Sequence, residues 1–300
     1  MSTPKHKVSY GGQAVIEGVM IKGQNSVSVA VRRSDGSIAF LRNPIHPFFK
    51  GLSKKIPLIR GIVTLAESLI VGMKSLVFSA NVSIEHESDE ISKSEMVGIL
   101  SLSLIMAIGL FFILPVVASQ PFEGLMGSDI ASNIAEGVIR LAIFILYILL
   151  IGNMAQIHRV FMYHGAEHMT VHAYEHGDPL EKDFVRRYPT AHPRCGTAFL
   201  LTVMLVAIVV FTFIPRDPFW LLILSRIVLI PLIAAASYEA IRFSGFHSQN
   251  RIVQILSIPN LGLQSLTTKQ PTDDQIEVAI AAMNHVIEAD RNESEKPVAN

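Results

Sequence analysis

The strongest constraint on this chain is an apolar stretch, residues 97–118, that runs for 22 residues without one charged side chain. An α-helix of that length rises about 33 Å, enough to cross the roughly 30 Å hydrocarbon core of a bilayer. Residues 138–157, 196–214 and 221–241 are three further apolar stretches that carry few charges. The sequence therefore predicts a mainly α-helical, polytopic membrane protein with about four transmembrane helices.

Residues 62–80 are apolar as well, but they contain Glu67 and Lys74, which favours a helix at the membrane interface over a span. The composition fits a membrane protein, because 50% of the residues are hydrophobic and only 17% are charged. Average soluble chains carry about 25% charged residues. The 25 basic and 25 acidic residues balance, which argues against a nucleic-acid partner. We expect membrane lipids to contact the chain instead.

The basic residues are unevenly distributed between the segments that join the spans. Residues 1–96 hold 12 Lys and Arg and residues 158–195 hold five, whereas residues 119–137 hold none and residues 215–220 hold one. Segments rich in Lys and Arg stay on the cytoplasmic side of a membrane. We therefore expect a multi-pass protein of the cell (plasma) membrane, with both termini and the 158–195 segment in the cytoplasm.

The segments outside the apolar stretches also carry local structure signals. Residues 26–32 alternate between apolar and polar side chains and precede a turn sequence, which predicts a β-hairpin. Residues 272–275 form a capping box before a helix with one apolar stripe. The predicted segments are 1–60 (cytoplasmic, with the hairpin), 61–96 (interfacial helix and linker), 97–157 (first transmembrane pair), 158–195 (cytoplasmic His-rich loop or helix), 196–243 (second transmembrane pair) and 244–300 (cytoplasmic, with an amphipathic helix at 273–289).

The histidines are the clearest sign of chemistry, because six of the 11 lie between residues 158 and 192. His164 and His168 are one helical turn apart, so a helix would place both on one face, where they can bind one metal ion. Glu167 lies beside them and completes the order His-x-x-Glu-His of inverted zinc peptidases. In that arrangement Glu167 is the catalytic base that activates a water on the metal.

A second cluster, His192 with Cys195, supplies further ligand types immediately before an apolar stretch. Imidazole and thiolate groups suit zinc, or iron as a second choice, better than magnesium. Cys195 is open to two other interpretations, a small buried hydrophobic residue or a nucleophile paired with His192. The predicted metal ligands are thus His164, His168, Cys195 and His192.

Three further residues are candidates for an outer role or for additional ligation, namely Glu175, Arg194 and Glu239. Glu175 returns to the face of His168 seven residues later on a helix. Glu239 lies near the predicted cytoplasmic end of the last apolar stretch, where it either joins the histidines or pairs with Arg242 or the backbone. The glycine-rich residues 11–20 lack the Gly-Lys-Ser/Thr sequence of a phosphate-binding loop, and we predict no organic cofactor.

Five motifs in a fixed order carry a resemblance to a known family. They are GGQAVIEGVM at 11–20, KKIPLIRG at 54–61, YHGAEH at 163–168, HPRCG at 192–196 and PNLGLQSLTTKQPTDDQIEVAI at 259–280. Together they resemble the YqhQ-like family of bacterial membrane proteins, which is labelled as predicted metal-dependent enzymes. The resemblance implies a site built from residues that the family pattern stresses: His164, Glu167, His168, Glu175, His192, Arg194 and Cys195.

Three functions are compatible with these residues. The first is a membrane-embedded, zinc-type hydrolase that acts at the cytoplasmic face, with Glu167 as base. The second is a histidine-box di-iron oxidase of lipids, which needs about eight ligands for its two irons. The third is a non-enzymatic membrane scaffold or assembly factor in which a structural metal ties the His-rich segment to the apolar stretch after Cys195.

Overall fold

The computed structural model describes residues 10–45, 56–83, 92–192, 195–247 and 250–294. The chain is mainly helical, with one small antiparallel sheet at its N-terminal end, and this confirms the predicted fold class at that level. The helices are α1 (Ile59–Ser83), α2 (Lys93–Ile108), α3 (Leu114–Ser119), α4 (Glu123–Met126), α5 (Asp129–Gly152), α6 (Ala155–His176), α7 (Lys182–Val185), α8 (Thr197–Thr212), α9 (Phe219–Val228), α10 (Ile230–Phe246), α11 (Arg251–Thr267) and α12 (Asp273–Ser294).

The sheet contains four strands in sequence order, so it is larger than the predicted hairpin. The strands are β1 (Gly11–Val15), β2 (Gly18–Lys22), β3 (Ser26–Arg32) and β4 (Ile38–Pro44). The predicted hairpin is formed by β3 and β4, with Arg32 opposite Ile38. Gly36 has a φ of +86° in the connecting turn, a conformation that glycine adopts without strain. The glycine-rich segment, for which no strand was predicted, supplies β1 and most of β2.

Both faces of the sheet are covered, and this determines which helices it positions. One face packs through Val15, Val29 and neighbouring residues against the second half of α1. The other face packs against α6 and α12, where Ile276 and Met283 are fully buried. The apolar stripe predicted for the C-terminal helix therefore docks on the sheet and on α6.

Among the described residues, three helical stretches are long and apolar enough to cross a membrane, and a fourth qualifies if α9 and α10, bent by 45°, are taken together. They are α1, the continuous run Ser94–Met126 that includes α2 to α4, α5, and the α9–α10 pair. The helix α8 is apolar but shorter, with 16 residues. Unlike the interfacial helix predicted for 62–80, α1 thus has the length and apolarity of a span. These dimensions are compatible with a membrane protein.

Arg140 and Arg226, two charged residues within the predicted apolar stretches, share a buried partner. Glu136 of α5 has no exposed surface and lies 2.5 Å from Arg140, 2.9 Å from Arg216 and 2.8 Å from Arg226. Arg140 also donates to the carbonyl oxygen of Phe111, which lies in a short π-helical turn between α2 and α3. The three guanidinium groups thus connect the α2–α3 run, α5 and the start of the α9–α10 pair.

Candidate metal centre

The helix α6 holds His164 and His168 one turn apart, with their ring centroids 4.4 Å from each other. His164 donates from Nδ1 to the carbonyl oxygen of Thr267 at 2.9 Å, and His168 donates from Nδ1 to that of Thr190 at 2.6 Å. A carbonyl oxygen can only accept, so the proton of each neutral ring lies on Nδ1 and the lone pair on Nε2. Histidine ligands in metalloproteins are oriented by this type of bond.

Cys195 completes a compact group of three donor atoms with these two rings. Its Sγ lies 3.2 Å from Nε2 of His164, and the ligand atoms of His164, His168 and Cys195 are all within 4.8 Å of one another. Ordinary zinc bond lengths place tetrahedral ligand atoms about 3.3–3.6 Å apart. His168 and Cys195 are buried, whereas His164 is half-buried. The two imidazoles and the thiol are donors of the types that zinc prefers, and they could hold such an ion after the group contracts, because their separations extend to 4.8 Å.

Two polar groups of Thr197, in the first turn of α8, lie next to the sulfur of Cys195. The backbone N–H of Thr197 points to Sγ at 3.3 Å, and the hydroxyl oxygen of the same residue is 3.1 Å from the sulfur. In the sequence, Cys195 stands out because it lies immediately before an apolar stretch. In the structure this stretch forms α8, which begins two residues after Cys195.

Glu167 lies next to the donor atoms and is almost completely buried. Its Oε2 is 3.5 Å from Nε2 of His168, and the backbone N–H of Gly12 in β1 donates to its carboxylate. Burial raises the pKa of Glu167, while the nearby His164 and His192 and the Gly12 N–H oppose the rise. Burial likewise lowers the pKa of His168 and so favours its neutral ring.

Gly12 allows the sheet to approach this carboxylate closely. A Cβ atom at position 12 would lie 2.9 Å from Cγ of Glu167 and 2.4 Å from the carbonyl oxygen of Met20. A side chain at this position would therefore separate β1 from α6. The glycine-rich sequence of the first strand thus has a direct relation to the site.

His192, which was predicted as a ligand, lies beside the donor group rather than in it. Its Nε2 is 3.4 Å from Oε2 of Glu175, and its ring centroid is 5.6 Å from that of His168. His172 packs against the ring of His192, with the two ring centroids 4.5 Å apart. The structure thus places Glu175 next to His192, as a partner of this outer histidine.

Glu239, another predicted site residue, lies away from the group. Glu239 forms a bidentate ion pair with Arg60 and accepts the backbone N–H of Leu58 at 3.2 Å, so it joins α1 to α10 instead of approaching the histidines. The alternative partner Arg242 contributes less than Arg60 to this pairing. Arg194 lies outside the residues that the structure describes.

The segment from the last turn of α11 to the start of α12 forms one wall of the site. The sequence predicts no site residue in this segment. Gln264 is fully buried and binds the backbone of His192 twice, by accepting its N–H at 2.9 Å and donating to its carbonyl oxygen at 3.0 Å. Lys269 donates its N–H to the carbonyl oxygen of Phe161. A Cβ at Gly165 would lie 2.2 Å from the Lys269 carbonyl oxygen, so α6 and this segment are in close contact. Both Gln264 and Lys269 lie in the longest of the five motifs. Their contacts involve the backbone of His192 and Phe161, and such contacts produce no recognisable pattern of residue types in the sequence.

Comparison with known proteins gives the chain a family. A family model described as "Protein of unknown function (DUF1385)" matches residues 56–289. The Uncharacterized protein YqhQ of Bacillus subtilis (strain 168) is 34% identical over 314 residues, and the alignment covers 99% of each chain. No solved structure matches the chain. These matches confirm the resemblance seen in the five motifs, with the YqhQ protein as a relative of this chain. The chain belongs to the DUF1385 family.

Proposed function

We propose that this protein is a metal-dependent hydrolase with one zinc-type ion bound by His164, His168 and Cys195. The observation that carries the proposal is the orientation of the two histidines. Both are fixed through Nδ1 by backbone carbonyl oxygens, Nε2 of His164 lies 3.2 Å from the sulfur of Cys195, and the ligand atoms of all three residues lie within 4.8 Å of one another. A histidine that merely fills a core has no need of this common orientation. Catalytic zinc sites characteristically have three protein ligands, whereas structural sites have four.

The nature of the donor atoms selects the ion. Two imidazole nitrogens and one sulfur favour zinc, with iron(II) as the alternative, over magnesium or calcium. A bound zinc ion would supply Lewis-acid chemistry, which polarises an ester or amide group and activates water at neutral pH. In the described part of the chain one group of three such donors is found, which gives no support to a di-iron box with about eight ligands.

Glu167 is the proposed general base. Its carboxylate lies beside His168 and is held by the Gly12 N–H, so it can take a proton from the attacking water and pass it to the leaving group. The water adds its oxygen to the scissile carbonyl or phosphoryl group, and the broken bond yields an acid and an alcohol or amine. The buried position of Glu167 keeps bulk water from competing for this proton.

The distribution of basic residues supports a cytoplasmic position for this site. Residues 158–195 carry five Lys and Arg and residues 1–96 carry 12, whereas residues 119–137 carry none. We infer a multi-pass protein of the plasma membrane with both termini in the cytoplasm. Reaction would then take place where the chain leaves the cytoplasmic face of the membrane.

Metal analysis and one substitution test the proposal. Protein purified in detergent should contain one zinc per chain, and the double variant His164→Ala/His168→Ala should contain less than a tenth of this amount. Glu167→Gln should keep the metal and the fold but fail to complement a bacterium deleted for its own copy. Glu67→Gln is the matched control, because Glu67 is also buried but pairs with Lys22. Full complementation by Glu167→Gln, or full metal content in the double variant, would refute the hydrolase.

One observation favours a second candidate, a cysteine hydrolase without a metal. Cys195 and His164 are within hydrogen-bond reach, and Thr267 orients the histidine, which is the arrangement of an activated nucleophile. This pairing uses His164 and not the His192 expected from the sequence. Cys195→Asp separates the two candidates, because a carboxylate retains a metal ligand but not a nucleophilic thiol. Activity and metal content that survive in Cys195→Asp support the metal centre, whereas activity that persists after complete removal of metal supports the nucleophile.

A further inference from the structure

The helix α11 has an apolar surface that no other part of the described chain covers. Four large side chains on its first two and a half turns are between 58% and 69% exposed: Ile252, Ile255, Leu256 and Ile258. Exposed apolar side chains are ordinary when scattered, but a continuous set on one helix marks an interaction site. The question is which apolar partner covers them.

The position of α11 answers this question in favour of the bilayer. Its 17 residues extend about 25 Å and include Arg251, Gln254 and Pro259, so it is too polar and too short for an independent span. Near its C-terminal end, Leu263 packs against Phe144 of α5 and against α8. The buried side of α11 is therefore packed on α5, which is long and apolar enough to cross a membrane, and on the apolar helix α8. A helix of this type lies in the membrane interface.

The opposite end of α11 belongs to the candidate metal centre. Its last residue, Thr267, accepts the hydrogen bond that orients His164, and Gln264 holds the segment before Cys195. Leu261, which is 40% exposed, lies only one turn before Gln264. On the other side of the site, Leu200 of α8 is 44% exposed and follows Cys195 by five residues. Exposed apolar side chains thus lie close in sequence to residues of the site on two helices.

We propose that α11 is a membrane-interface helix and that the substrate of the centre is a bilayer lipid, which approaches the centre along the exposed apolar side of α11. The assignment of a substrate rests on the proposed function, whereas the position of α11 in the bilayer does not. Acyl chains remain against the exposed residues of α11, and the headgroup reaches the half-buried His164. The bond within reach of the donor atoms is then an ester or phosphoester close to the headgroup, where addition of water releases an alcohol and an acid.

Fluorescence quenching tests the position of α11, because the chain has a single tryptophan, Trp220. In a Trp220→Phe background, tryptophan is placed at Ile255 on α11 or at Asn284, an exposed position on α12. The proteins are reconstituted in vesicles of phosphatidylethanolamine and phosphatidylglycerol with brominated acyl chains. We expect the bromines to quench more than half of the emission at 255 and less than a tenth at 284. Quenching at 255 by aqueous iodide but not by the bromines would overturn the proposal.

Photolabelling tests the entry of the headgroup. Phosphatidylethanolamine with a diazirine close to the headgroup is used with the metal-loaded protein, and the labelled peptides are identified by mass spectrometry. We expect adducts in residues 195–200 and at His164, and labelling of residues 251–262 by a probe with its diazirine in the acyl chain. A headgroup probe that leaves 195–200 unlabelled while the acyl probe labels α2 would refute lipid entry. If the protein binds no zinc when excess zinc is supplied and still shows these adducts, the metal centre would be refuted and the lipid surface would stand.

Discussion

Replacement of Glu136 by glutamine should be among the most destabilising single changes in the apolar part of the protein. This carboxylate has no exposed surface and is the shared acceptor for Arg140, Arg216 and Arg226. Glutamine has nearly the same size, so Glu136→Gln removes the charge and leaves the packing volume unchanged. The three guanidinium groups would then remain buried without the carboxylate that they share.

The expected magnitude follows from the burial of the partners. Removal of one member of a buried ion pair typically costs about 3–5 kcal/mol, because the remaining charge is not compensated. Arg140 and Arg226 are at most 1% exposed, which places them in this range. In the variant, Asn133 still accepts a hydrogen bond from Arg226. We therefore do not multiply the loss in the free energy of unfolding by the number of arginines. We expect the free energy of unfolding to fall by about 3–5 kcal/mol.

The chain contains a matched control in Glu123, which also pairs with Arg216 but has a side chain that is 39% exposed. Exposed ion pairs contribute about 0–1 kcal/mol, so Glu123→Gln should have a small effect. Unfolding by denaturant in detergent micelles, followed by the fluorescence of Trp220 at the start of α9, would measure both variants. If Glu136→Gln and Glu123→Gln differed by less than about 1 kcal/mol, the assignment of Glu136 as the common acceptor would be wrong.

Two further predictions concern the wall of the metal centre. Gly165→Ala should destabilise the protein by about 1–3 kcal/mol, because its Cβ would lie 2.2 Å from the Lys269 carbonyl oxygen. Gly245→Ala is the control and should be neutral or stabilising, because no atom lies near its Cβ. Thermal unfolding in detergent compares the two variants, and equal midpoints would contradict the close contact at Gly165. Gln264→Leu leaves the backbone N–H and carbonyl of His192 without their partner, at a cost of about 1–3 kcal/mol. The affinity for zinc, measured by competition with a chelator, should fall at least tenfold, and an unchanged affinity would show that Gln264 does not position the segment before Cys195.

The helical part of the fold could be predicted from the sequence because its signal is local. A long run without charges, such as residues 97–118, has few folded alternatives to an apolar helix. The helix α11 was not predicted because polar residues and Pro259 interrupt its apolar pattern. Strand β1 was not predicted because its sequence, Gly-Gly-Gln-Ala-Val, has no strict alternation, and it is held by pairing with β2 and by contact with α6.

The site divides in the same way between local and distant information. The pair His164 and His168 follows from helical spacing alone, and α6 presents both rings as that spacing requires. The choice between His192 and Cys195 as the third donor depends on how a distant segment folds back, and three residues of sequence separation cannot decide it. The groups that orient the two rings are carbonyl oxygens of Thr267 and Thr190, and every residue type has such an oxygen. No side-chain pattern could have indicated them.

The donor atoms come from two different parts of the fold, and this has a consequence for stability. The helix α6 belongs to the core that it forms with the sheet and α12, whereas Cys195 precedes α8, which packs with α5 and α11 in the apolar part. The three donors are therefore adjacent only when the two parts are docked. An ion that binds all three favours the docked state over any state in which the parts have separated, because ligands that bind only the folded arrangement stabilise it. The same contacts that would make the centre reactive would thus also join the sheet region to the apolar helices.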